Sequence, residues 1–154
     1  MSQDLTLLRQ AYTQALQLAG RHWRRAADVV VQPHGVSDAT ALPLVMIGRM
    51  QGEPRQNALA EAVGIEGPSL VRLLDQLCAA GLVQRREDPT DRRAKILSLT
   101  PSGEQRVASM EADLVRLREA VFARCSTADL EASLRVFRAL QDFEPEAATR
   151  EAAQ

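Results

Sequence analysis

Residues 54 to 103 read PRQNALAEAVGIEGPSLVRLLDQLCAAGLVQRREDPTDRRAKILSLTPSG, and this stretch decides the fold. Two short helical patterns stand at its start. The first ends at Gly64, because glycine readily takes the left-handed conformation that closes a helix. The second begins at Gly67 and Pro68, where a proline at the first helical position loses no hydrogen bond, and it stops at Gly81. Two helices joined by a tight corner predict a helix-turn-helix, whose second helix supplies base contacts.

The second of these helices has one apolar and one polar face. At about 100° per residue its leucines fall on one arc, and small or polar residues fall on the opposite arc. Arginine on such a face has the fork geometry that recognises a guanine edge. An ordinary solvated helix face is the alternative for Ser69 and Arg72. The candidate DNA-binding residues of this helix are Pro68, Ser69, Arg72 and Gln76.

Two strand-like runs follow, Leu82 to Arg86 and Lys95 to Leu99, and they predict a β-hairpin. The eight residues between them include the turn formers Pro89 and Thr90, so we predict a long tip. From residue 85 to residue 95 five basic residues face three acidic ones, a local charge of +2 on a chain whose net charge is -1. A basic hairpin after a helix-turn-helix is a wing, and arginine at its tip suits the narrow minor groove.

The run DPTDRRAKILSLTPSG, residues 88 to 103, resembles the wing signature of the MarR family of bacterial transcriptional regulators. That signature is Asp-x-Arg, an aliphatic strand, Leu-Thr and a glycine. Residues 64 to 85 are similar to the recognition helix of the family's SlyA branch, and weaker similarity covers Arg21 to Asp28. The resemblance implies a mainly α (α+β) winged helix-turn-helix with long N- and C-terminal dimerisation helices. It also implies a repressor that binds a palindromic operator on double-stranded DNA as a homodimer.

The same resemblance assigns roles within the wing. Asp91 would orient an arginine, and Arg93 would reach the minor groove, although both could be ordinary residues of a hairpin tip. Phosphate contacts are expected from other polar side chains of the wing and of the helix before it, because such contacts position a protein on DNA. These candidates are Gln56, Asn57, Arg92 and Lys95, and Arg86 is a further DNA-binding candidate of the wing.

A ligand site is also implied, since members of the family place aromatic acids between the dimerisation helices and the DNA-binding lobe. A small aromatic or phenolic ligand would then release the protein from DNA. Trp23 lies on the apolar face of its helix, so dimer core is its alternative. Ala41 stands where close SlyA-like proteins carry a bulky aromatic residue, which leaves the pocket different in shape. The candidates are Arg21, His22, Trp23 and Ala41.

The remaining segments predict helices. Leu5 to Val31 repeats apolar residues at helical spacing. A cap at Ser37 would place Pro43 well inside the second helix, so that helix is expected to start at Thr40, with Pro43 in its first turn, or to have a turn of irregular helix before Thr40. A heptad seam then runs from Val107 to Val121 and calls for one partner helix. A last helix capped by Ser126 and Asp129 runs to about residue 143. The tail beyond residue 145 is expected to fray. We predict three segments: an N-terminal dimerisation helix in residues 1–36, a winged helix-turn-helix DNA-binding domain in residues 37–100, and C-terminal dimerisation helices in residues 101–154.

Composition limits the function. Neither Cys78 nor Cys125 has metal-ligand spacing and no signal peptide precedes them, so we expect a cytoplasmic setting with no metal. No apolar run approaches the roughly 18 residues of a bilayer span, so no membrane partner is expected. No catalytic motif is recognisable, so we expect that the protein is not an enzyme and has no cofactor. The alternative function is a helical dimerisation protein that sequesters another regulator and has no operator.

Overall fold

The computed structural model describes the backbone of residues 2–143 and the side chains of residues 4–143. Six α-helices and one antiparallel hairpin occur in this range, which confirms the predicted mainly α winged fold. The chain divides into two compact units, the first ending at Arg118 and the second beginning at Glu119. The elements are α1 (Ser2–Val31), a 3-10 helix (Gln32–His34), α2 (Asp38–Arg49), α3 (Gln56–Val63), α4 (Gly67–Ala79), β1 (Val83–Asp88), β2 (Asp91–Leu99), α5 (Pro101–Val121) and α6 (Thr127–Gln141).

Helix α1 is buried only towards its C-terminal end. Ala27 and Val31 lie in the core, and Trp23 packs against it. Further towards the N-terminus the apolar side chains face solvent, and Leu8 is 64% exposed. The predicted long amphipathic helix is confirmed. Other residues of the same chain bury the apolar face of α1 only near its C-terminal end.

Helix α2 begins earlier than the sequence predicts. Ser37 is its N-cap, and the Ser37 side chain and the Thr40 hydroxyl each accept a hydrogen bond from the other residue's backbone N–H. Pro43 therefore lies inside the helix rather than in its first turn, so the predicted start at Thr40 is wrong. The two reciprocal cap bonds favour the early start. Full burial of Pro43 in the core compensates for the hydrogen bond that proline cannot donate.

The core of the first unit is aliphatic and includes residues of helices α1 to α5 and of both strands. Its fully buried members include Leu44, Leu59, Leu70, Leu74, Leu77, Leu97 and Met110. Met110 and Leu114 of the predicted heptad seam belong to this core, and Val107 and Leu117 pack against it. The expectation that the seam calls for a partner helix is therefore wrong over these residues, because the chain's own core covers them.

The hairpin is longer and its tip shorter than expected. Strand pairing runs from Val83 opposite Leu99 to Glu87 opposite Lys95, and then shifts so that Asp88 pairs with Asp91. The predicted eight-residue tip is therefore wrong: only residues 89 and 90 separate the strands. The reason is local, since the Asp88 carboxylate bonds to Thr90 and closes the turn. The register shift leaves residues 92 to 94 of β2 without a partner in the β1 ladder.

Both helices near the C-terminus begin with a side-chain cap, which confirms the predicted start of the last helix. The Thr100 hydroxyl accepts from Gly103 N at 3.0 Å and caps α5. Ser126 and Asp129 form the reciprocal capping box that opens α6. The tail beyond residue 145, expected to fray, lies outside the described residues. None of the helices described is both long and apolar enough to cross a membrane.

Candidate nucleic-acid interface

Helix α4 presents a polar face that the core leaves free. Leu70, Leu74 and Leu77 anchor the opposite side of the helix in the core. Arg72 makes no ion pair with any residue that the structure describes, so its guanidinium is available to an external partner. All four residues predicted to contact DNA from this helix are exposed: Pro68, Ser69, Arg72 and Gln76.

A second residue of α4 ties this helix to the hairpin. Asp75 Oδ1 accepts a hydrogen bond from Arg85 Nη2 at 2.6 Å, and Arg85 lies on β1. From the sequence alone, Arg85 counted as part of the basic charge of the wing. Its charge is instead compensated by Asp75, and the pair helps to fix the wing relative to α4.

The segment before α3 pairs with strand β2 of the wing. Leu97 N donates to Pro54 O at 2.9 Å, and Arg55 forms an isolated antiparallel bridge with Ile96. Glu53 also forms an ion pair with Arg86 of β1. The sequence pattern predicted no role for residues 53 to 55. Only one residue of this segment pairs with β2, and one residue is too short a run to show the alternating pattern of a strand.

Asp88 is a buried carboxylate at the end of β1, with only 7% of the residue exposed. Its Oδ1 accepts from Thr90 N at 2.8 Å and from Thr90 Oγ1 at 2.7 Å. Its Oδ2 accepts from Arg55 Nε at 2.8 Å. The Thr90 hydroxyl, the Thr90 amide and the Arg55 guanidinium lower the pKa of Asp88 to about 2. The carboxylate is therefore charged at neutral pH and holds the turn together.

The residues that follow the tip are exposed and basic. Asp91 Oδ1 accepts from the backbone N–H of Arg93 at 3.0 Å, so Asp91 fixes the backbone from which that arginine projects. Neither Arg92 nor Arg93 has an ion-pair partner in the part of the chain that the structure describes. In contrast, Lys95 Nζ lies 3.3 Å from Glu87 Oε1. Of the cations predicted to contact DNA from the wing, Arg86 and Lys95 are thus already paired with carboxylates.

The two candidates at the start of α3 differ in exposure. Asn57 is exposed, and its Oδ1 accepts from the backbone N–H of Ala58 at 2.9 Å. Gln56 is half-buried, and its Oε1 is buried without a hydrogen-bond partner among the described residues. A phosphate contact by Gln56 through its amide N–H groups would leave this buried oxygen unsatisfied unless the side chain turns outward.

The four residues predicted to hold a ligand are not brought together around either of two cavities in the first unit. Arg21 and His22 are exposed, Trp23 is half-buried and Ala41 is buried. One cavity, of about 360 Å³, is lined by Val29, Val30, Pro33, Asp113, Arg116 and Leu117. The other, of about 200 Å³, is lined by Gly35, Val36, Ser37, Thr40, Gln76, Leu77, Ala80 and Leu82. Ala41, in α2, is instead part of the hydrophobic core of the first unit.

Helix α5 is joined to the segments before the wing by polar side chains. His34 Nε2 and Asp113 Oδ2 are 2.7 Å apart, and Arg106 Nη1 donates to the His34 carbonyl oxygen. The hydrogen bond with His34 lowers the pKa of Asp113. Arg49 of α2 donates from Nε to Glu111 at 2.5 Å and lowers the pKa of that carboxyl. These partners are at least 62 residues apart in sequence, and no local signal could have paired them.

Both cysteines are free thiols, Cys78 half-buried in α4 and Cys125 exposed. Burial raises the pKa of the Cys78 thiol. A higher pKa leaves less of the reactive thiolate at neutral pH, so this position is poorly suited to sensing oxidants.

A helix with a free polar face beside a hairpin whose tip arginines have no ion-pair partner among the described residues is typical of a winged-helix transcription regulator. The MarR family sequence model matches residues 34–94. Transcriptional regulator PA3341 is 34% identical, with 86% of this chain and 99% of that chain covered and a TM-score of 0.76. The MarR family transcription regulator SP03579 is 24% identical over 97% of both chains, with a TM-score of 0.78. The chain belongs to the MarR family.

Two more distant structures with the same fold carry bound molecules. A mutant MarR from E. coli, complexed with operator DNA, is 17% identical over 83% of this chain and 91% of that chain, with a TM-score of 0.74. A Staphylococcus aureus MarR in complex with salicylate and kanamycin is 21% identical over 88% of this chain and 91% of that chain, with a TM-score of 0.75.

Proposed function

We propose that this MarR family regulator represses transcription by binding a palindromic operator as a homodimer, with one recognition helix and one wing from each subunit in each half-site. The observation that carries the proposal is the free polar face of α4 beside the unpaired arginines of the wing. Arg72 would contact base edges in the major groove, and Arg93 would enter the minor groove. The E. coli MarR with bound operator DNA has the same fold, which supports this mode of binding.

Homodimer formation is supported by apolar side chains that this chain leaves in solvent. In α1 these are Leu5 and Leu8, which are 47% and 64% exposed. In α6 and just beyond it they include Leu134 and Phe143, which are 52% and 59% exposed. Exposed apolar residues on both helices are typical of surfaces that a partner covers. A two-fold dimer would place its two recognition helices about one turn of DNA apart, roughly 34 Å.

We further propose that a small aromatic or phenolic ligand releases the protein from its operator, and that the chain is SlyA-like. The S. aureus MarR with bound salicylate supports the ligand class. The candidate residues remain Arg21, His22, Trp23 and Ala41. Calorimetric titration with salicylate, repeated on a Trp23→Ala variant, tests this part of the proposal.

DNA binding is tested by a gel shift with the DNA upstream of the protein's own coding region. Arg93→Ala should weaken binding without unfolding the protein, because an exposed charge at a hairpin tip contributes little to the core. Arg124→Ala is the matched control, since Arg124 is also exposed but lies in the turn between α5 and α6. Equal losses in both variants would contradict a specific role for the wing. No shift of any operator candidate by the wild type would favour the alternative of a sequestering protein without its own operator.

Asp91→Ala separates orientation from bulk charge. The substitution removes a negative charge that repels phosphate, so simple electrostatics predicts tighter binding. It also removes the hydrogen bond to the Arg93 backbone, so an orienting role predicts weaker binding. Unchanged or tighter binding by a folded Asp91→Ala variant would show that the wing acts through net charge alone.

A further inference from the structure

We propose that Arg55 and Asp88 form the joint that positions the wing for DNA binding, with Arg55 acting through Asp88 rather than by contacting DNA. This inference rests on the proposed DNA-binding function of the wing. Neither residue was among the candidates from the sequence. Asp88 lies four residues before Arg92 along the chain, and Arg55 pairs with Ile96 of the strand that carries Arg92 and Arg93.

The Asp88 carboxylate divides its two oxygens between two tasks. Oδ1 binds the Thr90 amide and hydroxyl and so shapes the tip. Oδ2 binds Arg55, with Nε at 2.8 Å and Nη2 at 2.7 Å. One carboxylate therefore connects the conformation of the tip to a residue outside the hairpin.

The other side of the joint is fixed by the backbone of Arg55. Its carbonyl oxygen accepts from Leu59 N at 3.0 Å and so begins α3. Its backbone also pairs with Ile96 of β2. Because Arg55 is the N-cap of α3, its guanidinium links the first helix of the helix-turn-helix directly to the tip of the wing.

The environment of this ion pair differs from that of its neighbours in the wing. Arg86 with Glu53, and Lys95 with Glu87, are at least 42% exposed at both side chains. Exposed pairs of this kind contribute little to stability. The Asp88 side chain is only 9% exposed, so removing its arginine would leave a carboxylate that water reaches poorly.

The wing needs such a joint because a two-stranded hairpin is marginally stable by itself. Its register also shifts between Glu87 and Asp88, so that residues 92 to 94 of β2 have no partner in the β1 ladder. Arg92 and Arg93 therefore project from the least regular part of the hairpin. The bonds of Asp88 to Arg55 and Thr90 hold this part relative to α3.

A direct phosphate contact by Arg55 is the competing explanation, and Asp88→Asn distinguishes the two. Asparagine keeps an oxygen that can accept from Thr90, but it replaces Oδ2 with an NH₂ group that cannot accept from Arg55. If Arg55 contacts DNA directly, this substitution frees its guanidinium and binding should tighten. If Arg55 positions the wing, the same substitution should weaken binding.

The experiment compares Arg55→Gln, Asp88→Asn and the double variant, with Glu87→Gln as the matched control. Glu87→Gln removes one negative charge, as Asp88→Asn does, from the neighbouring residue of the same strand, but it breaks only an exposed pair. Operator affinity is measured by fluorescence anisotropy, and hydroxyl-radical footprinting reports the minor groove. Amide hydrogen exchange of residues 90 to 94 in the DNA-free protein reports the wing itself.

We expect each single variant to lose operator affinity by roughly tenfold, the scale of losing one arginine contact, although the two change the net charge in opposite directions. The double variant should bind no more weakly than either single one, because both break the same joint. Minor-groove protection should fade, hydrogen exchange at the tip should rise, and Glu87→Gln should bind at least as tightly as wild type.

Wild-type or tighter binding by Asp88→Asn, or additive losses in the double variant, would overturn the positioning role. If the wild type protects no operator, the proposed function fails instead. The exchange measurement then still decides whether Arg55 and Asp88 hold the wing, since unchanged exchange at residues 90 to 94 in both variants would refute the joint.

Discussion

Substituting Gly103 by alanine should test how closely α5 must approach the base of the wing. A Cβ atom at this position would lie 2.0 Å from the Leu82 backbone oxygen, whereas real Cβ contacts almost never fall below 3.0 Å. The start of α5 would have to move by about 1 Å, because a backbone carbonyl cannot swing aside as a side chain does. This contact gives a physical reason for the glycine that follows Leu99 and Thr100 in this chain.

The displacement would also disturb hydrogen bonds at the same junction. Leu82 O accepts from Thr100 N at 3.0 Å, and the Thr100 hydroxyl both accepts from Gly103 N and donates to Gly81 O. Overpacking of a rigid site costs typically about 1 to 3 kcal/mol, and we expect about 3 kcal/mol here. For a chain of this length that corresponds to a fall in melting temperature of roughly 6 to 12 °C.

The assay is thermal unfolding followed by circular dichroism, with Gly20→Ala as the control. Gly20 lies inside α1, and a Cβ atom added there would have no neighbour within 4 Å, so alanine should stabilise the helix by about 0.5 to 1 kcal/mol. If Gly103→Ala melts within about 2 °C of wild type, the close approach to Leu82 does not constrain α5 and the reasoning is refuted.

Three further outcomes are expected. Arg72→Ala should cost about 1 to 3 kcal/mol of operator affinity and relax preference at one base position per half-site; an equal loss on random DNA would make Arg72 a phosphate contact. Leu134→Lys should shift a sedimenting dimer towards monomer, and a stable wild-type monomer at micromolar concentration would contradict the homodimer. Because the pKa of Asp88 is lowered to about 2, its stabilisation is complete above the unfolded-state pKa near 4 and is lost as pH falls through about 2. Asp88→Asn should therefore flatten the dependence of melting temperature on pH between about 5 and 2, and parallel curves would contradict this.

The features that the sequence predicted well depend on neighbouring residues. Gly64 ends α3 in the left-handed conformation, with φ of 70°, as its position after the last apolar residue indicated. Ser126 and Asp129 cap α6 because the two partners are only three residues apart. Local signals of this kind need no knowledge of the rest of the fold, so the helix boundaries around them could be predicted.

The errors arose where a distant part of the chain decides the outcome. The proline rule argued against an early start of α2, but burial of Pro43 in the core overrides it. The heptad pattern from Val107 indicated an apolar stripe and could not tell a second subunit from the chain's own core. Arg55 and Asp88 are 33 residues apart, and no local pattern pairs them. The predicted site therefore lacked the residues that hold the wing in place.

The distribution of ion pairs around the wing leads to a quantitative expectation for salt dependence. Four cations near α4 and the wing are paired with carboxylates, namely Arg55, Arg85, Arg86 and Lys95. Among the described residues of this surface, three arginines have no such partner: Arg72, Arg92 and Arg93.

If only the three arginines of each subunit that have no partner bring positive charge to the DNA, a dimer brings six such charges, and the logarithm of affinity should fall with the logarithm of salt concentration with a slope of about -5. If the four paired cations of each subunit also exchange their carboxylates for phosphate, a dimer makes about fourteen contacts, and the slope should steepen to about -13. Measuring operator affinity across a salt series decides between these values. A slope near -13 would show that the internal ion pairs open on DNA, and it would contradict the fixed joint between Arg55 and Asp88. A slope between about -5 and -11 is expected: the steeper value is reached if the more exposed pairs of Arg85, Arg86 and Lys95 open on DNA while Arg55 stays bound to the buried Asp88 carboxylate.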